Sequence, residues 1–261
     1  MTFPDVRSVN PLKARLQSGQ TAAGTFLTIS GPEVAEICGL SGCDFVIIDT
    51  EHTPIGWERI AATNLAALHA GTCPIIRVGT TQRDAATRAL DSGARAIMYA
   101  QVSDARAAHE AVAGCLFPPD GVRGVIGSSS FGYGLKMSLA EYIPAANRNM
   151  VCIIQIETLT AVNNVEEIAK VAGIDCLFVG LTDLSVDLRC PGDYTNVKVE
   201  AALDRVLQAA KANGIPVGIP ITDPSLAASY HQRGATFFAT TDRSFVTSGV
   251  SHWMQNIAPR N

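Results

Sequence analysis

Short apolar runs alternate with amphipathic stretches along nearly the whole chain, and no other feature limits its fold so tightly. Eight runs read as strands, over residues 24–30, 44–49, 73–78, 96–99, 150–156, 175–180, 216–219 and 236–240. Two of them, Met150-Val-Cys-Ile-Ile-Gln-Ile156 and Asp175-Cys-Leu-Phe-Val-Gly180, show the type. They are brief, apolar and rich in β-branched residues, as strands of a parallel sheet buried on both faces are. Helical patterns lie between most of them, over 33–40, 56–69, 83–92, 104–113, 160–171, 199–213 and 223–233. Gly93, Gly173, Gly214 and Gly234 stand where left-handed caps would end four of these helices. Eight strand–helix units in 261 residues are the arithmetic of a (β/α)8 TIM barrel, here a single domain over residues 1–261. A doubly wound open sheet is the competitor. It calls for a phosphate-binding glycine loop after the first strand, where this chain has Ser30-Gly-Pro-Glu-Val.

Composition narrows the function classes. A net charge of -4 without a long basic run gives nucleic-acid binding no electrostatic support. No stretch approaches the ~20 apolar residues of a membrane span. Residues 1–7 lack the pattern of a secretory signal, so a cytoplasmic protein is expected. The seven cysteines are scattered, without Cys-x-x-Cys spacing, and read as small buried hydrophobes in a reducing compartment. A mean hydropathy of +0.19 suits additional burial in an oligomer. One connection is too long for an ordinary loop: Phe117-Pro-Pro-Asp-Gly-Val-Arg-Gly and the glycine- and serine-rich segment after it. Such a segment is expected to be ordered, as an active-site wall or a subunit contact.

Chemistry in a parallel α/β protein is placed at the carboxyl ends of strands. Glu157 and Asp183 each follow a strand. Either one alone reads as a helix N-cap; together they read as a hard-metal site for Mg²⁺ or Mn²⁺. Strand two runs into Asp49-Thr-Glu51-His52, so three polar groups cluster at the mouth. Histidine titrates near neutral pH, which makes His52 the natural general acid or base, its ring oriented by a carboxylate such as Asp49. The alternative for His52 is a loop cap. His69, His109, His231 and His252 fall in helical patterns. Arg77 ends a buried strand, where it needs an anion. A substrate oxygen would serve, and so would a structural salt bridge to Asp49 or Glu51. Gln155 and Glu157 are two apart and share one strand face, directed into the barrel. The Gly180-Leu181-Thr182 turn offers backbone amides beside Asp183 for an anionic group. The lysines, at 13, 136, 170, 198 and 211, lie in helical or loop patterns, which argues against a Schiff-base mechanism.

Taken in order, Ile48-Asp-Thr-Glu-His52, Ile76-Arg77-Val, Phe117-Pro-Pro-Asp-Gly-Val-Arg-Gly124, Gln155-Ile-Glu157 and Gly180-Leu-Thr-Asp183-Leu-Ser resemble the metal-dependent class II pyruvate aldolases of the HpcH/HpaI type. The resemblance runs from about Gly24 to the C-terminal helix. It implies a (β/α)8 barrel with a swapped or protruding C-terminal helix, assembled as a homohexamer, a trimer of dimers. It implies that Glu157 and Asp183 hold a divalent metal, Mg²⁺ or Mn²⁺ with Co²⁺ as an alternative. Arg77, Gln155 and the amides at Gly180, Leu181, Thr182 and Asp183 would position a pyruvate-type 2-oxo acid. His52, supported by Asp49 and by Asp91 of a neighbouring subunit, would handle the proton of the hydroxyl at the bond being broken. The reaction implied is aldol cleavage or formation of a 4-hydroxy-2-oxo acid through a pyruvate-type enolate and an aldehyde. Decarboxylation, CoA-thioester lysis by the same donor site, or a binding protein without turnover are the alternatives. The chain departs from the family pattern at Leu181, where proline is common, at Met98-Tyr-Ala-Gln-Val, at Ser128-Ser-Ser-Phe-Gly-Tyr and at Ala239-Thr-Thr-Asp-Arg.

Overall fold

The computed structural model describes residues 8–29, 31–79, 83–127, 129–135 and 137–257. Residues 1–7, Ser30, Ser128 and Lys136, named above, lie outside them. Eight parallel strands close into a barrel in sequence order: β1 Ala22–Leu27, β2 Phe45–Asp49, β3 Cys73–Val78, β4 Ala96–Tyr99, β5 Val151–Ile156, β6 Cys176–Val179, β7 Val217–Pro220 and β8 Ala235–Thr241. The helices between them are α2 Pro32–Leu40, α3 Trp57–His69, α4 Arg83–Asp91, α5 Ala105–Cys115, α6 Leu139–Asn149, α7 Leu159–Asn163, α8 Val165–Ile168, α9 Leu181–Asp187, α10 Val197–Ala212 and α11 Ala227–Gln232. Helix α1, Pro11–Gln17, precedes the barrel, and α12, Asp242–Asn256, follows it. Three of the expected glycine caps are present, with φ of +104° at Gly93, +66° at Gly214 and +106° at Gly234, whereas Gly173, with φ of +94°, lies beyond the end of α8, which Ala169 caps.

The strand period of two divides the core. Val46, Ile48, Ile76, Ile97, Ile154, Leu177 and Val179 face the helix layer. Phe45, Ile47, Ile75, Met98, Ile153, Phe178 and Phe237 fill the barrel interior. The interior is packed, not hollow. Phe45 stacks on Phe237 at 4.0 Å between centroids, and Phe178 meets Phe237 edge-on. Gly218 makes room for that cluster, since a Cβ there would come within 2.5 Å of the Phe178 ring.

Helix α1 closes the amino-terminal end by adding Leu12 and Leu16 to the interior cluster. Asn10 caps it, accepting from Leu12 N–H at 3.1 Å and donating to the carbonyls of Arg95 and Asn149. The single helix expected over 160–171 divides at Asn164, whose side chain donates to Ser103 O at 2.9 Å. The described residues of the long connection pack on the fold: Phe117 and Phe131 bury against Tyr142 of α6, and Arg123 lies 4.4 Å above the Phe117 ring. It leaves the end of α5, a helix that runs back from the strand carboxyl ends, so its anchored part lies away from the mouth. Helix α12 buries Asp242 alone.

Candidate functional site

Following each inward-facing series toward the mouth shows how the sequence builds the site. On β2 the series is Phe45, Ile47, Asp49; on β3 it is Cys73, Ile75, Arg77; on β5 it is Val151, Ile153, Gln155. Each is apolar until its last position. The β2–β3 register pairs Asp49 with Arg77, so the two side chains leave the sheet side by side. Arg77 Nε donates to Asp49 Oδ1 at 2.9 Å and Nη2 to Oδ2 at 2.7 Å. Such a forked pair is the strong geometry for guanidinium and carboxylate. Asp49 Oδ1 also accepts from the backbone N–H of Glu51 and His52. Burial pushes the Asp49 carboxyl up, but the hydrogen bonds and charge of Arg77, with those two amides, outweigh it and hold the group below the usual carboxylate range.

Glu157 follows Gln155 at the end of β5 and is 1% exposed. Its Oε1 accepts from the backbone N–H of Gln101 at 2.7 Å, and its Oε2 from the Gln155 side-chain amide. Burial, partly offset by the Gln101 N–H, pushes its carboxyl up to about 7; the charges of Glu51 and Asp183 add to the rise and Arg77 opposes it. Asp183, exposed in the first turn of α9, is thus near enough for Glu157 to feel its charge. Gly180 joins the two. A Cβ there would lie 2.7 Å from Glu157 Cβ and 2.8 Å from Gln155 Nε2, so only glycine lets β6 pass this closely. Leu181 is buried and Thr182 exposed, the latter 3.2 Å from Tyr194 Oη.

These residues suit a hard cation. A buried carboxylate, oriented by two donors and repelled by two further acids, gains most from a positive charge. The buried Gln155 Oε1 has no hydrogen-bond partner and faces the same requirement for a ligand. Among the described residues no cluster of three or more His, Cys, Asp or Glu forms a closed cage. Two carboxylates agree with Mg²⁺-type binding, in which waters and substrate complete the octahedron.

The fold therefore brings together Asp49, Arg77, Gln155, Glu157, Gly180 and Asp183. His52 stands at the rim with its side chain 63% exposed, and the carboxylate nearest its ring is that of Glu51, not Asp49. Asp91 ends α4, the end remote from the strand carboxyl ends, and accepts from Arg123 Nη2 at 3.1 Å. Within the chain its partner is Arg123, not His52. Sequence reasoning missed Gln101, whose backbone φ of +59° turns its N–H onto Glu157. No side-chain pattern signals such a contact. It also missed Asp242, which accepts from Thr28 N–H, Thr28 Oγ1 and Ile29 N–H and ties the end of β1 to β8.

A family model for HpcH/HpaI aldolase/citrate lyase matches residues 22–245. A hydroxypyruvate/pyruvate aldolase of Paraburkholderia phytofirmans is 35% identical over 88% of this chain and 90% of its own. A 5-keto-4-deoxy-D-glucarate aldolase of Shigella boydii is 33% identical over 88% and 89%. The crystal structure of a family protein from Burkholderia cenocepacia, 33% identical, covers 95% of this chain and 99% of its own with a TM-score of 0.90.

Proposed function

We propose, from the premise that the chain belongs to the HpcH/HpaI aldolase/citrate lyase family and is a class II aldolase, that it cleaves or forms a 4-hydroxy-2-oxo acid from a pyruvate-type donor and an aldehyde. The observation that carries this reading is the buried Glu157 carboxylate, aimed by Gln101 and Gln155 beside the Arg77 guanidinium. Glu157 and Asp183 hold a divalent cation, Mg²⁺ or Mn²⁺, which when bound stabilises negative charge developing on the donor's keto and carboxylate oxygens. Arg77 keeps two of its five N–H donors on Asp49, has Nη1 3.4 Å from Glu51 Oε2, and offers its remaining capacity toward the donor. Gln155 and the amides at Gly180, Leu181 and Thr182 fix the donor's orientation. In cleavage, His52 takes the proton of the 4-hydroxyl, directly or through a water. The C3–C4 bond breaks, its electron pair stays with the donor, and the acceptor leaves as an aldehyde.

We further propose a homo-oligomer, a hexamer built as a trimer of dimers, which brings Asp91 of one subunit to the barrel mouth of the next. Support comes from α12, which leaves Phe245, Val246, Val250 and Trp253 more than half exposed. Among the described residues no helix is long and apolar enough to cross a membrane. Five of the seven cysteines are buried and all seven are free thiols, which suits a reducing cytoplasm.

The test is Asp183→Asn assayed for pyruvate release from a 4-hydroxy-2-oxo acid, with Mn²⁺ affinity measured by calorimetry. Loss of both with an unchanged far-UV spectrum is expected. Full activity of a metal-stripped Asp183→Asn enzyme would sink the reading.

A further inference from the structure

Within the polar cluster at the mouth, the acceptor capacity is unevenly used. Asp49 accepts four hydrogen bonds, two from Arg77 and one each from the backbone of Glu51 and His52. It has little left for an imidazole. Glu51 is the opposite case. Its Oε2 is out of contact with solvent and accepts no hydrogen bond. It lies 3.4 Å from Arg77 Nη1 on one side and 3.7 Å from His52 Nε2 on the other.

The side chain that carries this oxygen is held from behind. Its backbone N–H is tied to Asp49 at 3.0 Å, and Gly79 packs so close that a Cβ there would come within 3.3 Å of Glu51 Cγ. A buried carboxylate oxygen without a donor is costly. It is satisfied when a neighbouring N–H closes to a hydrogen-bond distance of about 3 Å, and the two candidates are the two functional side chains it separates.

We propose that Glu51 is the positioning residue for His52: its Oε2 receives the imidazole Nε2–H, couples the ring to Arg77, and sets which ring nitrogen faces the acceptor's hydroxyl. Asp49 is thereby assigned to Arg77 and to the loop backbone. With Nε2 carrying the proton toward Glu51, Nδ1 is the free base. The proposal rests on the aldolase reading only for the step that His52 performs; the contact itself is independent of the reaction.

The experiment follows both. With histidine labelled in ¹⁵N, the His52 ring signals, assigned by their absence from His52→Ala, should move in Glu51→Gln, which keeps the size and loses the charge. Cleavage kinetics should show kcat reduced by about tenfold or more, with KM for the donor little changed. The double variant Glu51→Gln/His52→Ala should be no slower than His52→Ala alone, since a residue acting through another adds nothing once that partner is gone. Unmoved His52 signals would overturn the proposal, and so would multiplicative losses in the double variant. If the wild type releases no aldehyde from any 4-hydroxy-2-oxo acid, the aldolase reading fails while the ring signals still decide the role of Glu51.

Discussion

At the scale of single residues, Arg77 holds a structural pair with Asp49 beside the chemical role proposed for it, and pH acts on the pair. Asp49 is held below the usual carboxylate range, so its pairing contributes fully above the unfolded value of about 3.9 and is lost as pH falls through the lower folded value. Arg77→Ala leaves Asp49 buried without a charged partner, held only by the backbone N–H of Glu51 and His52. Burial then raises its pKa, which penalises the charged form at neutral pH and is relieved as pH falls. We expect a loss of about 3–5 kcal/mol at pH ~7, with the gap between the two melting temperatures closing toward pH ~4. A gap independent of pH would contradict this. Arg77→Lys should recover little turnover, because one ammonium cannot replace a fork. Gly180→Ala is a second case. The added methyl strikes Glu157 and Gln155 at 2.7–2.8 Å, and Mn²⁺ affinity should fall by about 10–100-fold. Calorimetric titration reads this without any substrate, and an unchanged affinity would mean that Glu157 is not a ligand.

At the scale of elements, each site residue is placed by a strand end or a cap. The inward series on β2, β3 and β5 are apolar for as long as they fill the barrel and polar where it opens. Parallel register then decides which polar ends meet. Helix α6 shows a cap doing similar work outside the site. Ser138 Oγ accepts from Glu141 N–H at 3.3 Å, while the Glu141 carboxylate accepts from Ser138 N–H at 2.8 Å. This capping box starts the helix that supplies Tyr142 to the Phe117–Phe131 cluster. Ser138→Ala should lower stability by about 1 kcal/mol, seen as a lower urea midpoint at constant slope. No shift would mean the tertiary cluster alone sets the helix start.

At the scale of the molecule, the barrel is complete within one chain, and its surface carries an exposed apolar helix. Helix α12 carries Phe245, Val246, Val250 and Trp253 exposed along most of its length. Its N-terminal Asp242 is the one residue fixed in the core. Removing residues 246–261 retains that anchor. Sedimentation should then show a smaller assembly than the full chain, with the far-UV spectrum reduced only by the lost helix. An unchanged assembly would place the principal interface elsewhere, with the exposed Val122, Val125, Ile126 and Leu135 of the long connection next in line.

The sequence by itself determined the architecture and which polar residues end the strands. Period-two apolar runs, glycine caps and the polar residue ending each run are local properties, written into consecutive positions. Helix α1, the capping box at Ser138–Glu141 and the break at Asn164 were also local signals, each weak against the barrel pattern. Pairings were not legible. Arg77 read equally as a substrate group or a salt-bridge partner, and only the β2–β3 register set Asp49 against it. Asp49 and Glu51 were equivalent neighbours of His52 in sequence. Closure of the barrel used the acceptors of the first on Arg77 and left an oxygen of the second buried between Arg77 and His52. The physical reason is that hydrogen-bond capacity is divided among groups brought together from separate strands, and that division exists only once the barrel has closed.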